Sequence, residues 1–284
     1  MPPESSESSE SNEPGLPAYA ATMAAYHRAF EPELVEIVES LPIRRGQTVL
    51  DFACGDGAYA GWLARRVGAS GRVIAMDLSP AYLGAARRNL AARPELAARV
   101  RLVRADAGRS PLRDGSVDLT WCAQSLYSLP DPVEAIRRMA AATRPGGLVA
   151  VFENDEMHHV LFPWPAEAEL AFRRAELAGF SAESDRPWKF YVGRRLLRVF
   201  REAGLADVAL RCFAFTRQAP LDAAAREFFA GFLENLRDRA GLFLEPDLRT
   251  LLEGMTTPGS GRFLLDDPDL CVTCVNHVAV GVRP

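Results

Sequence analysis

Between residues 46 and 153 short apolar runs alternate with amphipathic stretches, and this alternation leaves the chain very few architectures. Thr48–Phe52, Gly71–Met76, Val100–Arg104, Val117–Cys122 and Leu148–Glu153 have the length and apolar content of buried strands. Ala58–Val67, Ala81–Ala92 and Pro132–Thr143 show helical spacing between them, the last with Pro132 at its first position and Asp131 as N-cap. The Arg144-Pro145-Gly146-Gly147 run predicts a turn into the fifth strand. Strands separated by helices pair in parallel and need cover on both faces, so the fold class is α/β with a doubly wound sheet.

The flanking segments extend this core. Residues 1–14 are Ser, Glu, Pro and Asn with almost nothing to bury, which predicts a disordered tail. Residues 15–45 form an N-terminal helical cap, in which Tyr19, Met23, Tyr26, Phe30, Leu34, Ile37 and Leu41 recur every three or four positions and Pro32 separates two helices. Residues 46–153 are the core. Residues 154–192 carry Phe162, Trp164, Phe172, Phe180, Trp188, Phe190 and Tyr191, with helical spacing around 166–178, and read as a lid insertion. Residues 193–284 return to the core: a helix Arg194–Ala203 stopping at Gly204, a strand Val208–Phe215, a helical stretch from Leu221 to about Glu253, and a last strand Cys271–Val282. The sheet then has seven strands.

Composition removes several classes of function. The net charge of −4 argues against a broad cationic face for nucleic acid. No run approaches the ~18–20 apolar residues of a membrane span, and the Met1-Pro2-Pro3-Glu4 start is acidic where a signal peptide is basic. Five scattered cysteines make no disulfide framework, which points to a reduced, cytoplasmic protein. Cys271 and Cys274 fall on opposite faces of a strand, and no second pair exists to complete a metal site.

The chemistry concentrates in Val49-Leu50-Asp51-Phe52-Ala53-Cys54-Gly55-Asp56-Gly57, where an apolar strand ends in an acid, a small-residue turn follows and a helix begins. Small residues let a ligand approach the backbone amides. Asp77 closes the next strand, twenty residues after Gly57, where a carboxylate accepts both hydroxyls of a ribose. A nucleoside-bearing cofactor follows. The glycine spacing departs from the dinucleotide fingerprint, and Asp51 and Asp56 suit a cofactor with an amino group and a positive sulfonium better than a pyrophosphate.

Here the sequence resembles the class I S-adenosylmethionine-dependent methyltransferases of small-molecule type. The resemblance spans roughly residues 47–153 and includes Asp77, Ala105-Asp106-Ala107, Asp114-Gly115-Ser116-Val117-Asp118-Leu119 and the Arg144–Gly147 turn. Ala53 stands where that family usually has glycine. The resemblance implies a Rossmann-like seven-stranded sheet with S-adenosyl-L-methionine as cofactor. It places Asp51, Ala53, Gly55 and Gly57 around the methionine moiety, Asp77 on the ribose, Asp106 and Ala107 at the adenine amino group, Leu78 on the adenine ring and Gln124 near the sulfonium. Tyr26, on the N-terminal helix, is placed over the cofactor.

Ligands in open α/β sheets collect beyond the carboxyl ends of the strands. That directs attention to Cys122–Tyr127 and to Glu153-Asn154-Asp155-Glu156-Met157-His158-His159. His158 and His159 are the expected bases for an acceptor that must lose a proton, with Tyr127 orienting it. Tyr26 and His27 are read equally well as helix packing and exposure. The lid aromatics suggest a sizeable apolar or aromatic acceptor, with O-methylation first and N- or C-methylation open. A nicotinamide-dependent oxidoreductase and a non-catalytic cofactor-binding protein are the competing readings. The expected partner is a small molecule, not nucleic acid or a membrane, and homodimer formation is left open.

Overall fold

The computed structural model describes residues 15–17, 19–109 and 111–284; the expected N-terminal tail falls outside them. Two helices open the chain, α1 (Ala20–Ala29) and α2 (Glu31–Ser40), with Pro32 in the first turn of the second. The alternating core follows as β1 (Thr48–Phe52), α3 (Ala58–Val67), β2 (Arg72–Asp77), α4 (Pro80–Ala91), the single-turn α5 (Pro94–Ala97), β3 (Val100–Arg104), β4 (Val117–Ala123), α6 (Pro132–Ala142) and β5 (Thr143–Asn154). Asp131 caps α6 as its sequence predicts, its carboxylate accepting from the Val133 and Glu134 amides.

β1 to β5 pair in parallel in the order β3-β2-β1-β4-β5. The order reverses between β1 and β4, and the crevice outside the carboxyl ends of the strands there is where such sheets take ligands. The expected turn at Arg144–Gly147 lies instead within β5 as a bulge: pairing jumps from Val117–Thr143 to Leu119–Leu148. Asp118 anchors it, accepting from the Thr48 amide at 2.9 Å and from Arg144 Nε at 2.8 Å.

The second half contributes α7 (Glu156–His159), β6 (Val160–Leu161), α8 (Ala166–Glu183), α9 (Leu196–Glu202), β7 (Ala206–Gln218), α10 (Ala223–Ala240), α11 (Pro246–Thr256) and β8 (Cys271–Val282). β8 runs antiparallel between β5 and β7. The seven expected strands are joined by the two-residue β6, which takes Cys274 and Thr273 of β8 where β5 has ended at Asn276. The helical stretch expected to run to about Glu253 breaks at Gly241–Phe243, ahead of Pro246. Along β8 Cys271 is exposed and Cys274 buried, as the strand period requires.

Three of the insertion aromatics are core rather than cavity wall, whereas Trp188, Phe190 and Tyr191 are only partly buried. Phe162, Trp164 and Phe172 are buried in one cluster with Phe228 and Phe229 of α10 and with Tyr26 and Phe30. Burying side chains of this size contributes ~1.5–3 kcal/mol each, which ties α8, α10 and α1 into one helical layer. No helix among the described residues is long and apolar enough to cross a membrane.

Candidate active site

A cavity of about 1090 Å³ opens at the carboxyl ends of β1, β2, β3 and β4. Its floor is the β1–α3 turn. Ala53, Gly55 and Gly57 all have positive φ (60°, 51° and 76°), a sequence of left-handed residues that turns the chain sharply. For Ala53 that conformation costs roughly 1–2 kcal/mol, the penalty of carrying a Cβ where glycine is free of one. A side chain at Gly57 would meet Ala86 Cβ at 2.9 Å, so this glycine lets α4 close against the turn. Gly57 is therefore beneath the cavity and not part of its lining.

Four carboxylates line the cavity, Asp56 of the turn itself and three at or just past the strand ends. Asp51 is buried, its Oδ2 without a hydrogen-bond partner. Burial, then Asp77 and Asp56, push its carboxyl up to about 8. Asp77 binds the loop together: Oδ2 accepts from the Gly55 amide at 2.9 Å and Oδ1 from the Ser79 amide at 2.9 Å. Asp106 accepts from the Gly108 amide at 2.7 Å, capping a 3₁₀ turn at Ala107–Arg109 while lining the cavity with Ala107. Leu78 presents an apolar side chain 59% exposed beside them.

The opposite wall is the chain after β4. Gln124 turns it at φ 48°, with its amide held by the Phe152 carbonyl at 2.8 Å. Tyr59 Oη donates to Gln124 Oε1 at 3.4 Å. Tyr127 lines the same wall, and burial, then Glu153, push its phenol up, so it is a neutral donor and not a base.

The structure moves the acid–base candidates. His158 is exposed, and neither it nor His159 lines the cavity. His159 is buried among Tyr26, Phe228 and Phe232, with ring centroids 5.7, 6.4 and 6.3 Å away. Burial pushes it down to about 4, opposed only by a hydrogen bond with the Val275 backbone, so it is a neutral core residue. Tyr26 is likewise turned into the core, its hydroxyl donating to Asn276 Oδ1 at 3.0 Å. One residue on, His27 lines the cavity with Ala20, Met23 and Ala24 of the same helix. Its Nδ1 is 3.6 Å from Asp56 Oδ2, an ion-pair distance rather than a hydrogen bond. Tyr59 and Trp62 close on the ring edge-on, at 5.4 and 6.1 Å. Burial raises the Asp56 carboxyl, but His27 and the Ala58 amide outweigh this and hold it below the usual carboxylate range.

Asp51, Ala53, Gly55, Asp77, Leu78, Asp106, Ala107, Gln124 and Tyr127 thus line one cavity, while Gly57, Tyr26, His158 and His159 do not. The lining residues beyond those expected include Met23, Tyr59 and Tyr82. The helical spacing of Ala20, Met23, Ala24 and His27 was the available signal for the first of these, a face that flanks the Tyr26–Phe30 side of the same helix. The donor set fits a cofactor carrying positive charge: Asp51 holds an unspent buried oxygen where an ammonium can be received, and no cation lies beside it among the described residues. No group of His, Cys, Asp and Glu among the described residues is arranged to hold a metal ion.

Residues 50–151 match the family profile described as a methyltransferase domain. Demethylmenaquinone methyltransferase of Geobacillus kaustophilus is 27% identical over 191 residues, 63% of this chain and 80% of that enzyme. A candidate methyltransferase of Bacillus halodurans superposes with a TM-score of 0.55 at 19% identity, covering 89% of this chain and 98% of the other. Phosphoethanolamine N-methyltransferase 2 of Haemonchus contortus, solved with phosphomonomethylethanolamine and S-adenosylhomocysteine, gives 0.53 at 16% identity, over 94% and 58% of the two chains. At such identities the two structures speak for the fold alone.

Proposed function

We propose that this chain, whose residues 50–151 match a methyltransferase domain, is a class I S-adenosylmethionine-dependent methyltransferase that methylates a hydroxyl of a small, largely apolar metabolite. S-adenosylmethionine, when bound, supplies a methyl group on a positive sulfur, and the protein has to hold it, orient the acceptor and exclude water. The observation that carries the reading is the make-up of one cavity. Asp51, Asp77 and Asp106, at or just past the ends of β1, β2 and β3, line it together with the apolar Met23, Ala24, Leu129 and Pro130.

In this reading the free Asp51 oxygen receives the amino group, Asp77 accepts from the ribose hydroxyls and Asp106 from the adenine amino group. Leu78 covers the adenine ring, and Gln124 faces the sulfonium. The volume of about 1090 Å³ slightly exceeds the ~300–1,000 Å³ that ligand sites usually offer, which supports room for cofactor and acceptor together. Tyr127 donates a hydrogen bond to the acceptor oxygen. His27, the imidazole on the cavity wall, takes its proton.

The relationship to a demethylmenaquinone methyltransferase favours a second reading, methylation at a ring carbon of a phenolic acceptor. The two readings share a step, since a phenol made anionic is nucleophilic at oxygen and at the adjacent ring carbon. Incubation with S-adenosylmethionine and hydroxylated naphthalenes, 1,4-naphthohydroquinone among them, separates the two by where the methyl appears in the product. Absence of S-adenosylhomocysteine binding in calorimetry overturns both. Asp77→Ala is expected to weaken that binding by about 1–3 kcal/mol, the cost of removing charge-assisted hydrogen bonds; unchanged affinity takes Asp77 out of the ribose site.

A further inference from the structure

A buried carboxyl at the end of β5 has no part in the site as described. Glu153 is 1% exposed, no salt bridge reaches it among the described residues, and its Oε2 has no hydrogen-bond partner. Its Oε1 accepts from the Leu126 amide at 2.6 Å and lies 3.4 Å from the Tyr127 amide. These amides open the 3₁₀ turn Leu126–Ser128, whose own N-cap, Ser125, makes no side-chain capping bond. The Ser125 hydroxyl is spent elsewhere, on the Ala123 carbonyl at 2.9 Å and the Ala53 carbonyl at 3.3 Å. With Phe152 holding the Gln124 amide, two consecutive residues of β5 hold three amides of the chain after β4. That chain supplies Gln124, Ser125, Tyr127, Leu129 and Pro130 to the cavity. The carboxylates at the cofactor end of the cavity belong to other strands.

A buried carboxyl is costly to keep unless it does something an apolar side chain cannot. Here it reaches across from the neighbouring strand to two amides that no closer group satisfies. We propose that Glu153 is a positioning residue for the methyl acceptor: it touches neither ligand, and by gripping Leu126 and Tyr127 it fixes the wall against which the acceptor is held. The inference rests on the methyl-transfer reading above. It assigns the two halves of the cavity to separate supports, Asp77 for the cofactor half and Glu153 for the acceptor half.

Glu153→Ala removes the acceptor oxygen, and Glu153→Gln keeps one in place. Hydrogen exchange in the S-adenosylhomocysteine complex is expected to accelerate at residues 126–129 in the alanine variant, with Gln124, residues 51–57 and residues 77–79 unaltered and the glutamine variant near wild type. Calorimetric affinity for S-adenosylhomocysteine stays unchanged in both. With 1,4-naphthohydroquinone as acceptor, kcat/KM falls about 10²-fold in the alanine variant, the scale of an ångström misplacement, and the glutamine variant restores it. Exchange spreading over the whole chain with parallel loss of cofactor affinity, or an unaltered loop, overturns the proposal. Wild-type protein that binds S-adenosylhomocysteine but leaves the hydroquinone unmethylated counts against the acceptor class, and the exchange pattern then decides the role of Glu153.

Discussion

Two pairs of adjacent side chains, Tyr26-His27 on α1 and His158-His159 at the end of α7, divide in opposite ways between core and ligand space. In the first pair Tyr26 is buried against Asn276 and His27 faces the cavity. In the second His159 is buried against Tyr26 and Phe228 while His158 faces solvent. A step of one residue turns a helical side chain by about 100°, so neighbours are seldom equivalent. Nearness in sequence to the sheet edge identifies a region; the element a residue sits on decides where its side chain goes.

The sharpest way to break this contrast is to exchange the imidazoles one at a time. His27→Ala is expected to lower turnover by about 10²–10⁴-fold, the usual contribution of a general base, with His158→Ala leaving it unchanged. A methyl-release assay at saturating cofactor measures both. The opposite pattern returns the base to the segment after β5.

His159 should register in stability and not in turnover. Burial holds it down to about 4 in the folded chain against 6.5 for a free imidazole, so the unfolded chain binds the proton more tightly. Its neutral form is favoured above the unfolded value, and stability is lost as pH falls from about 6.5 towards 4. The linkage relation gives about 2 kcal/mol between pH 7 and pH 5. Denaturant unfolding at the two pH values should show that loss, and His159→Leu should remove most of it. A pH response identical in the variant shows that other groups carry the acid sensitivity.

How much of this was legible follows from the range of the interactions. The turn from Asp51 to Gly57 and the acid at Asp77 are local features, and the structure joins them by one bond, from the Gly55 amide to Asp77. Asp131 at the head of α6 is local in the same sense. β6 could not be anticipated, because Val160 and Leu161 are a strand only by virtue of Cys274 and Thr273 more than a hundred residues away. The four-residue α7 has too little periodicity to say which histidine turns inward. α1 did carry that information, since Tyr26 lies on its apolar stripe and His27 beside it; its burial depends on α10, which packs from the far end of the chain. Glu153 was visible as an acid closing an apolar strand, yet its partners sit on a loop that only the β4–β5 pairing brings near.

The smallest expected effect comes from the remaining member of the first pair. Tyr26→Phe keeps the ring, and with it the contacts to Phe30 and Phe228 at 5.1 and 5.2 Å. It removes the bond to Asn276, whose Nδ2 already has no partner and whose side chain is fully buried. Stranding that amide should cost about 1–2 kcal/mol of stability, measured at neutral pH so that His159 does not contribute. Affinity for S-adenosylhomocysteine should not change, because Tyr26 supports α1 from behind while His27, Met23 and Ala24 form the surface. A fall in affinity without a fall in stability would mean that the hydroxyl reaches the ligand, and the division between the two neighbours would then fail at the residue that defines it.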